Sequence, residues 1–375
     1  MSLHSHHGFL WRTIKMALAI ISLKPPPNVD PTKATLAYGR LAIKRIVRFN
    51  TQNSYWTMID IYITLKVVEK NPRNNRELKD TDLITRQRAV KALCDYLHDP
   101  EHIEEAINEG TICLLSFLLK DHDIPCRGYS TECFVIICRR TAALRHNILE
   151  SFEPLLDFNQ PDVIRLNTHR AIELLTTNLT GVQAVIEAKY IDLLVRCVEK
   201  EIIVLNTLYH CFSFETEEGL NAGGIPLFTK LLTHSNTEIR TRAAQNILRL
   251  CVNLRGKQEA LDNETIPALV SLLNDPSEDL KAFSAGALGF ICTTNHGRYT
   301  TLNAGAIPLL LNLVDDKCSR VRVNTFKVLT CLSETPEGRR ILLDHLNKIS
   351  PHVTDMNAAV AKHAKIALSV ITWQP

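Results

Sequence analysis

The chain has 375 residues and a formal net charge of +3, with 45% hydrophobic and 22% charged residues. This balance is typical of a globular chain with a sizeable core, and it excludes a disordered or low-complexity protein. The near-neutral charge, without a Lys/Arg block or a basic stripe, also argues against a dedicated nucleic-acid binder.

The N-terminal part contains two apolar segments. Residues 16–23 form a short apolar run that is followed by three prolines rather than by a signal-peptide cleavage site. Residues 55–68 are mostly apolar but are interrupted by Asp60 and Lys66. Both segments are shorter than the roughly 20 residues that a membrane-spanning helix needs. We therefore expect no membrane association.

The 11 cysteines are scattered singly between Cys94 and Cys331, and none forms a C-x-x-C pair. Single cysteines within apolar helical patterns are typically small buried residues. Their odd number and their scatter favour a reducing compartment over secretion.

An internal repeat organises the C-terminal half of the chain. The segment Asn221–Pro226 recurs as Asp262–Pro267 and as Asn303–Pro308, so its isoleucine returns every 41 residues. An apolar run, a short polar break and an Ala- or Leu-rich stretch follow each copy. Weaker copies open near residues 108–112, 152–156 and 187–191, with an initial partial copy at 85–98 and a final one at 343–375. The pattern predicts about eight repeats, the ends included.

Each repeat is predicted to be helical throughout. A proline is tolerated in the first turn of a helix because its missing N–H would be unpaired there, so Pro226, Pro267 and Pro308 mark helix starts. The polar break ends that helix, and a longer helix follows with small residues such as Ala243 and Ala244, where neighbours approach closely. The segment before each Ile-Pro fits either a short first helix or the second helix of the preceding repeat.

The period and the pattern from Gly297 to Pro308 resemble the armadillo consensus, which has three helices per repeat, rather than the two-helix HEAT repeat. We predict an all-α, armadillo/HEAT-like α-solenoid, a right-handed superhelix of stacked helical repeats. The copy at 187–191 is about seven residues short, and we attribute this to a trimmed loop near residues 199–203.

Catalytic and metal-binding motifs are absent from the sequence. The 14 histidines include His4, His6 and His7 in the N-terminal tail, which we interpret as solvated, and no H-E-x-x-H or other ligand spacing occurs. The chain also lacks G-x-S-x-G, G-x-x-x-x-G-K-[ST] and G-x-G-x-x-G. We predict no enzymatic activity, no cofactor, no metal and no small-molecule substrate.

Armadillo solenoids offer a concave groove lined by the third helix of each repeat. Nuclear-import adaptors carry Trp and Asn at fixed places on this helix, where they hold a basic peptide. Aligned on Ala243 and Ala244, those places hold Gln245 with Arg249, Gly286 with Phe290, Lys327 with Cys331, Arg170 with Leu174, and Glu132 with Ile136. This Trp/Asn ladder is therefore missing, which argues against nuclear-signal binding by that mechanism. The candidate groove residues are Arg170, Gln245, Arg249, Phe290 and Lys327. A solvated helix face remains an open interpretation of the same residues.

Several segments carry a closer resemblance. Residues 83–100 (LITRQRAVKALCDYLHDP) resemble the opening repeat of the radial spoke head 14 family, also called rhabdoid tumour deletion region protein 1. Residues 35–39 resemble the family's N-terminal T-x-A-Y-G segment. Further similar segments are 284–288, 334–339 and the C-terminal 364–375. The resemblance covers roughly residues 31–47 and 77–375.

The resemblance implies a non-catalytic structural or adaptor subunit of the axonemal radial spoke of motile cilia and flagella. Such a subunit would lie in the cytoplasm, in the cytoskeleton of the axoneme, and would bind other spoke proteins through the solenoid surface. The alternative is a cytoplasmic armadillo adaptor or transport-receptor-like module that binds other proteins.

The chain departs from the family's pattern in two places. Residues 1–30 have no counterpart, and residues 48–76 interrupt an otherwise continuous helix. We predict a solenoid over 31–375, with 1–30 a disordered extension or a gene-model artefact and 48–76 an insertion or a misannotated segment. Transcripts that read continuously through codons 48–76 would reject the artefact hypothesis.

Overall fold

The computed structural model describes residues 77–140, 143–144, 147–199 and 201–374. The predictions for residues 1–30, 35–39, 48–76 and the tail histidines lie outside these residues, as do the two N-terminal apolar segments. The chain divides into two compact units, one ending at Cys133 and the other beginning at Phe134.

The first unit contains a long helix followed by one three-helix repeat. Its helices are α1 (Leu83–Leu97), α2 (Pro100–Asn108), α3 (Thr111–Leu118) and α4 (Ile124–Ile137), the last of which crosses the unit boundary. Helix α1 begins after Asp82, whose carboxylate accepts a hydrogen bond from the Thr85 N–H and so satisfies one of the open donors of the first turn.

The second unit repeats the same three-helix order. Its helices are α5 (Ile148–Phe152), α6 (Asp162–Leu175), α7 (Leu179–Glu187), α8 (Tyr190–Cys197), α9 (Val204–Cys211), α10 (Glu217–Asn221), α11 (Gly224–Leu231), α12 (Thr237–Leu250), α13 (Leu254–Asp262), α14 (Thr265–Ser271), α15 (Glu278–Ile291), α16 (Asn295–Asn303), α17 (Ala306–Leu313), α18 (Ser319–Leu332), α19 (Pro336–Leu343), α20 (Leu346–Ile349) and α21 (Ala358–Ile371). Short 3₁₀ turns follow α5, α14 and α20, at Glu153–Leu156, Leu272–Asn274 and Ser350–Thr354.

The predicted all-α solenoid is confirmed, with three helices per repeat. The segments that precede the three Ile-Pro copies are short first helices, α10, α13 and α16, and not the second helices of preceding repeats. Pro226, Pro267 and Pro308 each lie at the third residue of a second helix, within its first turn as expected. Each later repeat then ends in a long third helix, α12, α15, α18 or α21.

A tight junction joins the first helix to the second in the repeats before the last, whereas the last repeat has His345 with φ of −118° at this place. The residue before the second helix has a positive φ, which glycine adopts without strain, and Gly223 and Gly305 have φ of 76° and 72°. Lys189 and Glu264 adopt the same conformation at the equivalent junctions. The turn therefore recurs even where the sequence lacks glycine.

The core lies between the helices of successive repeats. Small residues on the third helices are fully buried, among them Ala243, Ala244, Ala285 and Ala287. Close helix approach at these positions follows from the small side chains, as the sequence indicated. Among the described residues, no helix is long and apolar enough to cross a membrane.

The short repeat differs from its prediction. The loop between α8 and α9 is of ordinary length, at residues 198–203. Instead the third helix α9 has 8 residues where α12 has 14, and the first helix α10 has 5 where α13 has 9. The trimmed-loop prediction is therefore wrong. A shorter third helix still packs because its last turns carry the buried residues that meet its neighbours, among them Leu208 and Cys211.

Most of the cysteines are buried, as predicted: Cys94, Cys126, Cys133, Cys138, Cys197, Cys211, Cys251 and Cys292. Burial raises the pKa of Cys211, Cys251 and Cys292 to about 12, so these thiols stay protonated at neutral pH. They contribute to packing rather than to nucleophilic chemistry.

Candidate protein-binding surface

The third helices of the second unit lie side by side. Helix α6 packs against α9, α9 against α12, α12 against α15, α15 against α18, and α18 against α21. We call the exposed side of these six helices the third-helix face. The sequence pattern predicts a binding groove on this part of the structure.

Three of the predicted groove residues are accessible on this face. Arg170 on α6 and Lys327 on α18 are exposed, and Phe290 near the end of α15 is 38% exposed. A partner could therefore contact all three without a change in the protein's packing.

Gln245 does not lie in an open groove, and its assignment as a groove residue is wrong. Its side chain is buried, at 7% exposure, and its Oε1 accepts a 3.2 Å hydrogen bond from Arg242 Nη1 one turn earlier on α12. That hydrogen bond satisfies the amide oxygen inside the protein, so the burial carries little cost. The residue type alone could not indicate that the Gln245 side chain is buried.

Arg249 is half-buried and is held by a side chain of the preceding repeat. Its guanidinium carbon lies 4.6 Å from the ring centroid of Tyr209, and its Nη2 donates a 2.6 Å hydrogen bond to the Tyr209 hydroxyl. The charge therefore remains on the face but is fixed in position by a cation–π contact. Beside it, burial lowers the pKa of His210, which keeps that imidazole neutral at pH 7.

An apolar depression of about 390 Å³ opens on the third-helix face between α12 and α21. This volume falls within the range of small-ligand pockets, and it is large enough for a side chain of a bound segment. Its lining comes from four successive third helices and the residue before the last of them: Leu248, Ala282, Phe283, Ser319, Arg320, Val323, Asn324, Asn357 and Ala359.

Polar groups at the depression are largely engaged with one another. The Arg320 guanidinium forms an ion pair with Asp279 and lies 5.9 Å from the ring centroid of Phe283. Asn324 Nδ2 donates a 2.8 Å hydrogen bond to the Ala282 carbonyl of the preceding repeat. These contacts hold the walls of the depression in place and leave its apolar surface open.

Gly286 occupies the place where import adaptors carry Trp, and side chains of the neighbouring repeats crowd this position. A Cβ on Gly286 would come within 2.5 Å of Leu248 Cδ1 and 3.1 Å of Asn324 Nδ2. The neighbouring repeats thus fill the space that a clamp side chain would use. The open volume lies instead about one turn nearer the helix N-termini, beside Phe283.

Positive charge accumulates at the C-terminal end of this face. Lys327 on α18 and Lys362 on α21 are both exposed, and neither forms an ion pair within the part of the chain that the structure describes. Burial, together with the charges of these two lysines, lowers the pKa of His363. The three groups therefore lie near one another and present a net positive potential next to the depression.

The sequence reasoning missed the residues that line the depression. Phe283 and Asn324 are 41 residues apart and occupy the same place on successive third helices, about one turn before the place where import adaptors carry Trp. Aligning the repeats at this place would have found an aromatic ring beside an amide. The pattern alone could not have shown that the space between them is empty.

A second cluster lies in the first unit. One ligand atom from each of Cys94, His98 and Glu132 lies within 4.8 Å of the others. The sequence did not predict this group, because Glu132 is more than 30 residues away from the other two along the chain.

The fold defines a class, the armadillo-type α-solenoid. No family model matches the chain. An engineered protein of known structure is similar to it, with a TM-score of 0.73 at 20% identity, over 80% of this chain and 77% of that one. A designed armadillo repeat protein in complex with the peptide (KR)4 has a TM-score of 0.52 at 22% identity, over 57% of this chain and 95% of that one. At such low identities these similarities show the fold alone.

Proposed function

We propose that this protein is a non-catalytic scaffold that binds an extended segment of a partner protein along the third-helix face. The observation that carries the proposal is the open apolar depression lined by Phe283 and Val323. Exposed apolar surface on a solenoid is typical of a binding site, because it costs free energy unless a partner covers it. The designed armadillo protein bound to (KR)4 is a precedent for a peptide held by this fold.

The charges of the face indicate a different peptide from that precedent. Arg170, Lys327 and Lys362 are exposed cations that would repel a segment of Lys and Arg. We propose instead a segment with a large apolar side chain for the depression and with Asp or Glu residues beside Lys327 and Lys362. Long-range attraction between these charges would also accelerate association at low salt.

Selection from a library of short random peptides tests this proposal. The full chain is expected to enrich peptides in which an apolar residue is flanked by Asp or Glu. Replacement of Val323 by Gln fills the depression with a neutral polar side chain, and we expect it to weaken the selected peptides by about tenfold. Leu254→Gln is the matched control, because Leu254 is 69% exposed on the first helix α13, away from the face.

A second pair of variants tests the electrostatic part. Lys327→Glu is expected to weaken the acidic peptides, and the loss should shrink as salt is raised. Lys348→Glu, an exposed change of the same charge on α20, should have little effect. Enrichment of Lys- and Arg-rich peptides, or equal binding by all four variants, would contradict the proposal.

We further propose that the natural partners are radial spoke proteins of motile cilia and flagella. This rests on the resemblance of residues 83–100 and 364–375 to the radial spoke head 14 family. In ciliated cells, the tagged protein should remain on the axoneme after detergent extraction and leave it together with spoke subunits at high salt. Complete release by detergent alone would overturn the spoke assignment and favour a general armadillo adaptor of the cytoplasm.

A further inference from the structure

Cys94 and His98 lie four residues apart at the C-terminal end of α1. Residues at this spacing occupy the same side of a helix, one turn apart. Cys94 is the buried member, at 3% exposure, and His98 is the exposed residue that ends the helix. The pair therefore offers one sulfur and one nitrogen donor, one anchored in the core and one free to turn.

Helix α4 supplies the third donor to the same place. Glu132 is half-buried, and its carboxylate, the Cys94 sulfur and a His98 ring nitrogen all lie within 4.8 Å of one another. Atoms bound to one zinc ion at 2.0–2.3 Å lie roughly 3–4 Å apart. A small rotation of the His98 and Glu132 side chains closes this difference, since neither makes a hydrogen bond within residues 77–140 that would oppose it.

Cys133 stands next to this group on α4. It is fully buried and shares a side-chain hydrogen bond with Cys94. A second sulfur at this position either completes a four-ligand set or steadies the Cys94 sulfur from the protein interior. No other cluster of three potential metal ligands occurs in the described residues.

We propose that Cys94, His98 and Glu132 bind a zinc ion. A mixed set of sulfur, nitrogen and carboxylate oxygen suits a borderline-soft divalent cation, and Zn²⁺ accepts all three in tetrahedral geometry. The ion joins the first described helix to the third helix of the following repeat. It therefore cross-links α1 and α4 within the first unit. This inference is independent of peptide binding on the third-helix face.

Cobalt is the probe, because Co²⁺ takes the same ligands and reports them by absorption. The full chain is freed of metal, kept reduced, and titrated with Co²⁺ in a background in which His4, His6 and His7 are replaced by Gln. We expect one ion per chain, with visible bands of tetrahedral Co²⁺ and a near-ultraviolet thiolate-to-metal band. Added Zn²⁺ should displace these bands and raise the Tm of the protein.

Substitutions identify the ligands. His98→Gln and Glu132→Gln keep the fold, since both residues are at least partly exposed, and each should weaken Co²⁺ binding by at least about tenfold. Cys94→Ser should abolish the thiolate band. His122→Gln and Cys113→Ser, at exposed positions of the same unit, are the matched controls. Absence of one-to-one binding, or unchanged binding and bands in His98→Gln and Glu132→Gln, would overturn the assignment.

Discussion

Arg240 on α12 donates a 2.9 Å hydrogen bond from Nη2 to Oδ2 of Asp275, which lies in the loop before the third helix of the following repeat. Its Nη1 also donates to the carbonyls of His234 and Ser235, at 2.9 and 3.0 Å, in the loop before its own helix. The Arg240 guanidinium thus binds the loop before its own helix and also the loop of the following repeat.

An ion pair with the following repeat recurs along the second unit at the fourth residue of the third helices. The pairs that follow it are Arg165 with Glu201, Lys281 with Asp316, and Arg322 with Asp355. In the first unit Arg86 pairs with Asp121 in the same way. Hydrogen bonds to Arg322 and to the backbone N–H of Asn357 lower the pKa of Asp355. These partly buried pairs fix the register in which repeats stack.

Asp275→Asn is therefore expected to reduce the free energy of unfolding by about 1–3 kcal/mol. The substitution removes the charge of a side chain that is only 11% exposed while leaving Arg240 in place. Urea unfolding followed by circular dichroism measures the change. Asp344→Asn, an exposed change at the end of α19, should stay within about 0.5 kcal/mol of the parent. Equal effects of the two substitutions would show that the pair does not hold the repeats together.

Gly256 and Gly289 give opposite expectations for the same substitution to Ala. A Cβ on Gly256 would lie 2.1 Å from the Leu250 carbonyl oxygen, so α13 would have to move away from the end of α12. At Gly289 the nearest atoms would be 3.8 and 3.9 Å away, which is ordinary contact.

We expect Gly256→Ala to cost about 1–3 kcal/mol. Gly289→Ala should be neutral or stabilising by up to about 1 kcal/mol, because Ala is the better residue inside a helix. Thermal and urea unfolding of both variants check this prediction. A Gly256→Ala protein as stable as Gly289→Ala would show that the approach of α13 to α12 is looser than described.

Asn246 links two repeats through the backbone. Its Nδ2 donates to the Leu205 carbonyl of α9 at 3.0 Å and to the Arg242 carbonyl at 2.9 Å, and the side chain is fully buried. Asn246→Ala should lower the free energy of unfolding by about 1–2 kcal/mol. Asn303→Ala, at an exposed helical position, serves as the control and should change it by less than about 0.5 kcal/mol. A neutral Asn246→Ala variant would contradict a structural role for this amide.

His169 on α6 makes stability depend on pH. It is 1% exposed, its ring nitrogens have no hydrogen-bond partner among the described residues, and burial with the nearby Arg165 charge lowers its pKa to about 4. The unfolded chain binds this proton near pH 6.5, so stability is full above that pH and is lost as the pH falls towards 4.

The loss expected from this histidine is of order 2–3 kcal/mol between pH 7 and pH 4. His169→Leu removes the titrating group, and it should flatten that part of the pH profile measured by urea unfolding. His296→Gln, at an exposed position on α16, should leave the slope unchanged. A His169→Leu profile as steep as that of the parent would assign the pH dependence to other groups.

The sequence by itself determined the repeat. The spacing of 41 residues, the prolines in the first turn of the second helices and the small residues of the third helices are local features. They act through the chain's own backbone and through contacts that recur with the period, so a pattern search finds them. The three-helix unit and the buried cysteines followed from the same information.

The tertiary structure alone decided which residues are accessible and which come together. Gln245 and Arg170 occupy the same place in the repeat, yet Gln245 is buried with Arg242 and Arg170 is exposed. The depression beside Phe283 and the cluster around Cys94 depend on side chains from different repeats meeting in space. Burial and proximity depend on which helices lie next to a residue. The repeat pattern in the sequence is the same whether a neighbouring helix covers a side chain or leaves it exposed.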